Sequence, residues 1–364
     1  MKRQKVTLER NISSSYEICI GHQILDRIGL IIAKSNSANR YVVITDSNVS
    51  ALHGESFITV LKDLNLKADL VDFPAGEESK NMETVLQLVS RLIRMGVDRN
   101  SELIALGGGV TGDIVSFISS IFMRSLPYFQ VPTSLVAQVD SSIGGKTGID
   151  LPEGKNLIGT FYQPRGVFID LHFLDSLPDR EFRNGLAEIV KYGIIDDVDL
   201  FDFLEKHTVE IKNRNMEIVK KMIERSCAIK RGIVEIDEKD MGIRRILNFG
   251  HTIGHALEAE SKYAITHGDA VSVGMIAAVR ISNKLNYLLH EDQKRIELLI
   301  KDLDLFDHIP EHVSTKGIMS HIRTDKKKDG DRVSFVLLKK TGVPFITGSV
   351  KNDLIEETIE ELKR

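Results

Sequence analysis

The segment NFGHTIGHALE sets His251 and His255 four residues apart, so on a helix both rings leave the same face. HxxxH is a ligand spacing for a divalent ion. His267 in YAITHGDAV and Glu188 in GLAEIVKYG add an imidazole and a carboxylate to the same half of the chain. A borderline metal such as zinc takes this donor set, and a catalytic ion keeps a position open for substrate, so three protein ligands are expected. Glu188, His251 and His267 would make such an open site and leave His255 for the substrate. The same spacing also occurs where a helix merely displays two histidines at its surface. Gly250 and Gly254 weigh against that, because a glycine inside a helix costs about 1 kcal/mol relative to Ala and calls for a packing or ligand reason.

A second group of residues could hold an anion. The stretch VPTSLVAQVDSSIGGKTGIDLPEGKNLIGTFYQP carries Asp140, Lys146, Lys155 and Asn156, with few residues suited to a core. Lysines beside glycines reach a buried anion as point charges. Arg124, Lys191 and Arg244 lie near the other motifs. This surplus of local cations suits a small acidic, phosphorylated substrate.

A third group faces a nucleotide. In ELIALGGGVTGDIVSFIS an apolar strand runs into Gly107, Gly108 and Gly109 and then into a helix. Backbone amides at a helix start attract phosphate, and glycines let the ligand approach the backbone. The spacing is neither GxGxxG nor GxxxxGKS, so the loop alone says only that it fits a phosphate-like anion, and a ligand-free turn would read the same. Two more polar turns follow strands: Thr45-Asp46-Ser47-Asn48 after YVVI, and Pro74 to Lys80 after ADLVDF. In an open parallel sheet such turns converge on one crevice. Asp46, Asn48 or Glu77 could accept hydrogen bonds from ribose hydroxyls, and Lys80 could face phosphate, although each alone also reads as a solvated turn residue.

The elements that must position these groups fall into two halves. From Tyr41 to Leu171 short β-branched runs alternate with amphipathic stretches near Gly54–Leu64 and Asn81–Met95, the mark of βαβ units and a parallel sheet. Runs at Val6–Ile12 and Tyr16–Ile20, split by three serines, predict a hairpin at the sheet edge. Beyond Pro178 the texture is helical: Arg180–Tyr192, Val198–His207, Asn215–Val234, Thr252–Glu260 and Ala270–Leu285. Val333–Leu338 and Pro344–Gly348 predict a late hairpin before a terminal helix. The expected fold class is therefore an α/β Rossmann-like N-terminal domain, residues 1–177, plus a mainly α-helical C-terminal domain, residues 178–364, that binds metal and substrate.

Bulk properties exclude several classes. A chain of 364 residues with 42% hydrophobic and 27% charged residues builds large cores. A net charge of −4 gives no basic field for nucleic acid or a membrane surface. Cys19 and Cys227 are the only cysteines, which fits a reducing, cytoplasmic address rather than a disulfide framework. MKRQKVTLER has no apolar signal region, and no apolar run approaches a membrane span.

Taken together, GGGVTGD, RSLPYFQVPTSLVAQVDSSIGGKTGID, GKNLIGTFYQP, GLAEIVKYG, LNFGHTIGHALE, HGDAVSVGM and DKKKDGDRVSFVLL, with TDSN and PAGEESK, resemble the 3-dehydroquinate synthase family of sugar phosphate cyclases. The resemblance runs from Thr45 to about Leu338. It implies NAD, one zinc or cobalt ion and commonly a homodimer. By motif, NAD would touch Asp46, Asn48, Glu77, Lys80, Gly108, Gly109, Val110, Asp113, Thr133 and Ser134, and the metal would bind Glu188, His251 and His267. The substrate, 3-deoxy-D-arabino-heptulosonate 7-phosphate, would meet Arg124, Asp140, Lys146, Lys155, Asn156, Lys191, Arg244, Asn248, His255 and Lys327, with Lys326 fitting the same pattern. The implied reaction is transient oxidation by NAD, phosphate elimination, re-reduction, ring opening and aldol closure to 3-dehydroquinate, in the shikimate route to aromatic amino acids. Ser125, Ser134 and Asp150 depart from the family's usual glycine, threonine and asparagine. The alternatives are a sister cyclase of the 2-deoxy-scyllo-inosose synthase type or a metal-dependent polyol dehydrogenase.

Overall fold

The computed structural model describes residues 13–35, 37–328 and 333–364, with the side chains of 325–328 left out. Its N-terminal half is built on six strands: β1 (Glu17–Gly21), β2 (Arg40–Asp46), β3 (Ala68–Phe73), β4 (Ser101–Gly107), β5 (Tyr128–Pro132) and, beyond a two-stranded ribbon of β6 (Ile149–Leu151) and β7 (Gly154–Ile158), β8 (Gly166–Asp170). The order is β1-β8-β5-β4-β2-β3, and every pairing in this sheet is parallel.

Parallel strands buried on both faces need continuous apolar runs, which YVVIT and ELIAL supply. Helices α1 (Leu25–Ser35), the short α2 (Ser47–Val49), α3 (Glu55–Asp63), α4 (Met82–Arg94) and α5 (Gly109–Ile121) connect them. Ile28, Ile32, Phe57 and Leu61 pack on Tyr41, Val43, Ile104 and Leu106 on one face. Val85, Leu88, Ile114 and Ile118 pack on Val42, Ile44, Leu103 and Ala105 on the other.

The chain turns from β2 to β3 on one side and then crosses back to place β4 on the other side of β2. That reversal opens a crevice beyond the C-terminal ends of β2 and β4, where Asp46 and Gly107 stand.

The rest is helical: α6 (Asp179–Ile195), α7 (Val198–Lys206), α8 (Thr208–Lys212), α9 (Met216–Ile236), α10 (His251–Glu260), α11 (His267–Lys284), α12 (His290–Asp302), α13 (Thr315–Lys328) and α14 (Asn352–Glu361). Before α14 comes the expected late hairpin, β9 (Phe335–Lys340) with β10 (Val343–Thr347), antiparallel. Among the described residues no helix is long and apolar enough to cross a membrane.

Two expectations change. Tyr16–Ile20 does yield an edge strand, but β1 pairs in parallel with β8, from Glu17 beside Gly166 to Gly21 beside Asp170; Val6–Ile12 lies outside the described residues. The lysine-rich stretch after β5 is not poor in core. Leu135, Val139 and Ile143 enter the helical core, and Ile149 enters the sheet core. Polar residues mask those positions in the sequence because Ser134, Gln138, Asp140, Ser141, Ser142 and Lys146 are interleaved with the buried anchors.

Candidate active site

Three helices bring the metal-type donors together. Glu188 is buried on α6, His251 opens α10 and His267 opens α11. Glycine makes this meeting possible. A Cβ on Gly274 of α11 would fall 1.9 Å from the carbonyl oxygen of Gly250, so only glycine lets α11 lie this close to the start of α10. Gly250 itself sits at the N-cap of α10 with φ +80°, a left-handed conformation that favours glycine. The packing reason anticipated for these glycines is thus backbone-to-backbone contact at the site.

One donor atom from each of Glu188, His251 and His267 lies within 4.8 Å of the others. Glu188 Oε1 is 3.1 Å from His267 Nε2 and 3.4 Å from His251 Nε2. Tetrahedral bonds of about 2.0–2.1 Å separate ligands by about 3.4 Å, so these donors already stand at coordination spacing. His251 Nδ1 lies 3.0 Å from the carbonyl oxygen of Phe249, an acceptor only. Nδ1 therefore donates its proton there, and Nε2 is the nitrogen left to bind an ion. His267 Nδ1 faces Glu258 Oε2 at 3.3 Å, the carboxylate–histidine arrangement that orients a ligand ring.

The field matches. Burial alone would lower the pKa of His267, yet its hydrogen bonds with Glu188 and Glu258 push it up to about 10. The same negative surroundings that favour a proton there also attract a divalent cation. Burial works against a charged Glu188 too, but the Lys191 ammonium, an ion-pair partner one turn along α6, and the two histidines keep its carboxyl well below the usual range. The residues present fit a divalent metal.

Around this centre stand the cations. Burial would raise the pKa of Asp140, but Lys230 at 2.5 Å holds it down at about 2 against the opposing charge of Glu188; Tyr192 Oη donates to the same carboxylate. Lys155 bridges Glu77 and Glu258, each at 3.3 Å, and lies over the Tyr263 ring. The ring of His255 stands 5.1 Å from that of His251; the protein atoms crowded around it and the flanking His251 and His267 bring its pKa down to about 3, so it is uncharged at neutral pH. Arg244 is buried and donates to the carbonyls of Gly144 and Glu238. Lys146 is half exposed and pairs with Asp240.

On the sheet side, Gly108 caps α5 without any side-chain acceptor, leaving amides of Gly109 and Val110 free to face an anion. A Cβ on Gly108 would come within 3.2 Å of Ser134 Oγ, itself buried with no hydrogen-bond partner among the described residues. An orphaned hydroxyl beside a bare helix start is what a phosphate cradle requires. Thr133 ties this turn down by donating its amide to Gly107. Asp46 accepts from the amides of Asn48 and Val49 and from Thr111 Oγ1. Lys80 donates to Asp113 at 2.5 Å and to Asn156 at 2.6 Å, joining the loop after β3, helix α5 just past its first turn and the β6–β7 ribbon.

Not everything converges. Arg124 follows α5 at the end away from Gly109, about 20 Å along a helix of 13 residues, and is exposed with φ +66°. Asn248, by contrast, ends a 3₁₀ turn three residues before His251 and stays beside the donor cluster, exposed. The side chains of Lys326 and Lys327 lie outside the described residues.

Two residues escaped the sequence reading. Glu258 sits at i+7 from His251 and i+3 from His255, on the ligand face of α10. Lys230 lies among Ser226, Cys227 and Ile233 on the buried face of α9, where a lone lysine in an apolar stripe was the available signal.

Comparison with known proteins decides the family. A sequence model of the 3-dehydroquinate synthase N-terminal region matches residues 70–184, and one of the C-terminal region matches residues 185–328. This chain belongs to the 3-dehydroquinate synthase family. A 3-dehydroquinate synthase of Acidithiobacillus ferrooxidans is 43% identical over 347 residues, 95% of each chain. Among solved structures, 2-epi-5-epi-valiolone synthase from Streptomyces hygroscopicus subsp. jinggangensis, with NAD+ and Zn2+ bound, superposes with TM-score 0.89 at 26% identity, covering 99% of both chains. A 2-deoxy-scyllo-inosose synthase complexed with carbaglucose-6-phosphate, NAD+ and Co2+ gives TM-score 0.86 at 30% identity, covering 94% of this chain and 96% of the other. Membership of the 3-dehydroquinate synthase family agrees with a parallel-sheet half joined to a helical half.

Proposed function

We propose that this chain converts 3-deoxy-D-arabino-heptulosonate 7-phosphate to 3-dehydroquinate and phosphate, using NAD and one divalent metal ion, zinc or cobalt. The observation that carries this reading is the meeting of Glu188, His251 and His267 beside the cations Lys191, Lys155 and Lys230. The relative from Acidithiobacillus ferrooxidans, at 43% identity, favours this substrate over those of the two sister cyclases at 26% and 30%.

When bound, NAD takes up and returns a hydride, and the metal polarises substrate oxygens as a Lewis acid. The protein's own groups do the rest. Glu188, His251 and His267 hold the ion, with Phe249 and Glu258 fixing the ring orientations. The start of α5 with Ser134 takes the pyrophosphate of NAD, while Asp46, Asn48, Glu77, Lys80 and Asp113 line the approach to it. Lys146, Lys155, Asn156, Lys191, Arg244 and Asn248 hold the substrate's carboxylate and phosphate, and Lys230 keeps Asp140 charged and in place. Uncharged His255 accepts a hydrogen bond from a substrate hydroxyl. Cations fixed in a water-poor cleft stabilise the negative charge that develops as phosphate leaves.

Residues 1–177 acting as the NAD-binding domain and 178–364 as the metal- and substrate-binding domain, a homodimer and a cytoplasmic address belong to the same proposal, supported by the family resemblance and by two cysteines that form no disulfide. The test is to incubate the purified protein with the heptulosonate phosphate, NAD and zinc while following inorganic phosphate and NADH. Stoichiometric phosphate without net NADH supports the reading. Net NADH without phosphate refutes it in favour of a polyol dehydrogenase, and turnover only with glucose 6-phosphate or sedoheptulose 7-phosphate refutes it in favour of a sister cyclase.

A further inference from the structure

A second group of metal-type donors lies on the outer rim of the sheet. β1 and β8 end in register, Gly21 beside Asp170, so the residues that follow them are neighbours although they are far apart in the chain. His22 comes next after β1. His172 and Asp175 stand on the 3₁₀ turn Leu171–Ser176 after β8. One donor atom from each of the three lies within 4.8 Å of the others, and all three side chains are exposed.

The backbone beneath them is tied down by hydrogen bonds. Asp170, buried, accepts the amides of Gln23 and Ile24 at 2.7 Å each and the amide of His172 at 3.0 Å. One carboxylate thereby ties the turn that carries His22, where Gln23 has φ +56°, to the turn that carries His172. From the other side His53 meets Ser176 Oγ at 2.8 Å and sets its ring against Phe173 at 4.9 Å, pinning the same 3₁₀ turn. His172 Nδ1 already lies 2.8 Å from Asp175 Oδ2, and the rings of His22 and His172 are 6.4 Å apart. Two imidazoles and a carboxylate on a clamped frame are a donor set for zinc, cobalt, nickel or copper. Pre-positioned backbones lower the ordering cost of bringing three side chains onto one ion.

We propose that His22, His172 and Asp175 form a second divalent-metal site, separate from the Glu188–His251–His267 centre, which ties the end of β1 to the end of β8. Its exposed ligands leave the remaining coordination positions to water. It fills after the Glu188–His251–His267 centre, whose ligands are less exposed and are braced by outer acceptors.

The test is equilibrium dialysis of the full chain against rising free Zn2+, with metal per chain read by elemental analysis, on wild type, His22→Ala and His172→Ala. Wild type should hold one ion more per chain than either variant, and phosphate release should be equal in all three. The zinc-dependent rise in melting temperature at the second equivalent should vanish in both variants, while melting without metal stays unchanged. Asp175→Asn, which keeps the side-chain shape, should weaken the second ion by roughly tenfold or more. Equal stoichiometry in wild type and either alanine variant overturns the proposal, as does a second ion whose affinity ignores Asp175→Asn.

Discussion

Glu258 offers the sharpest test of the proposed metal centre, because it was not among the residues expected from the sequence and it would act on a bound ion only through His267. Its Oε2 receives His267 Nδ1 at 3.3 Å, and its Oε1 meets Lys155 at 3.3 Å. Burial opposes its charge, yet the hydrogen bond from His267 and the charges of His267 and Lys155 hold its pKa down at about 2, so it is ionised at neutral pH. Glu258→Gln keeps an acceptor for the imidazole and removes the charge; Glu258→Ala removes both and leaves Lys155 with Glu77 alone. Outer-shell partners of ligating histidines are worth about 10–100-fold in metal affinity, or about 1.4–2.7 kcal/mol. Gln should fall near the lower end and Ala near the upper. Zinc affinity measured by competition with a chromophoric chelator, together with phosphate release at saturating zinc, separates lost binding from lost chemistry. If both variants bind zinc as tightly as wild type, Glu258 does not orient His267 and the reasoning fails.

Further outcomes follow from the same geometry. Lys230→Met should cost about 3–5 kcal/mol in denaturant unfolding by stranding Asp140, whereas Lys230→Met with Asp140→Asn should recover much of that loss. Gly274→Ala should lower both stability and zinc affinity, since its Cβ would meet backbone rather than a movable side chain; an unchanged variant would show that the two helices can part freely. Because the folded pKa of Asp140 lies below its unfolded value near 3.8, its contribution to stability is present above about pH 4 and lost as the pH falls toward 2. The unfolding free energy of Asp140→Asn should therefore depend less steeply on pH across that window. Lys146→Ala should keep NAD binding and lose most phosphate release, roughly 2.7–4 kcal/mol of barrier, read by titration and steady-state assay.

How much of this was legible before folding depends on the range of the interaction that decides each feature. Strand and helix identities are local. The apolar runs YVVIT and ELIAL and the periodic stretches around Glu188 and Cys227 specify buried strands and amphipathic helices within a few residues, and those elements stand close to where periodicity places them. Residue chemistry is local too, so the histidines, Glu188 and the lysines could be singled out by type and spacing. The parallel partner of β1 was not legible, because pairing of Glu17–Gly21 with Gly166–Asp170 joins segments far apart in the chain and nothing near Tyr16 encodes it. Nor was the distance of Arg124 from the glycine turn at Gly109, which follows from the length of α5 and the end at which the arginine falls.

By itself the sequence determined the element types, the donor set and the family to which they belong. Tertiary structure decided which donors meet: Glu188 with His251 and His267 through glycine-close packing of α10 and α11, Lys230 with Asp140 across two elements, Glu258 behind His267. The physical reason is that a side chain's type is written at its own position. Its neighbours are set by the packing of whole elements, whose register depends on every residue along them.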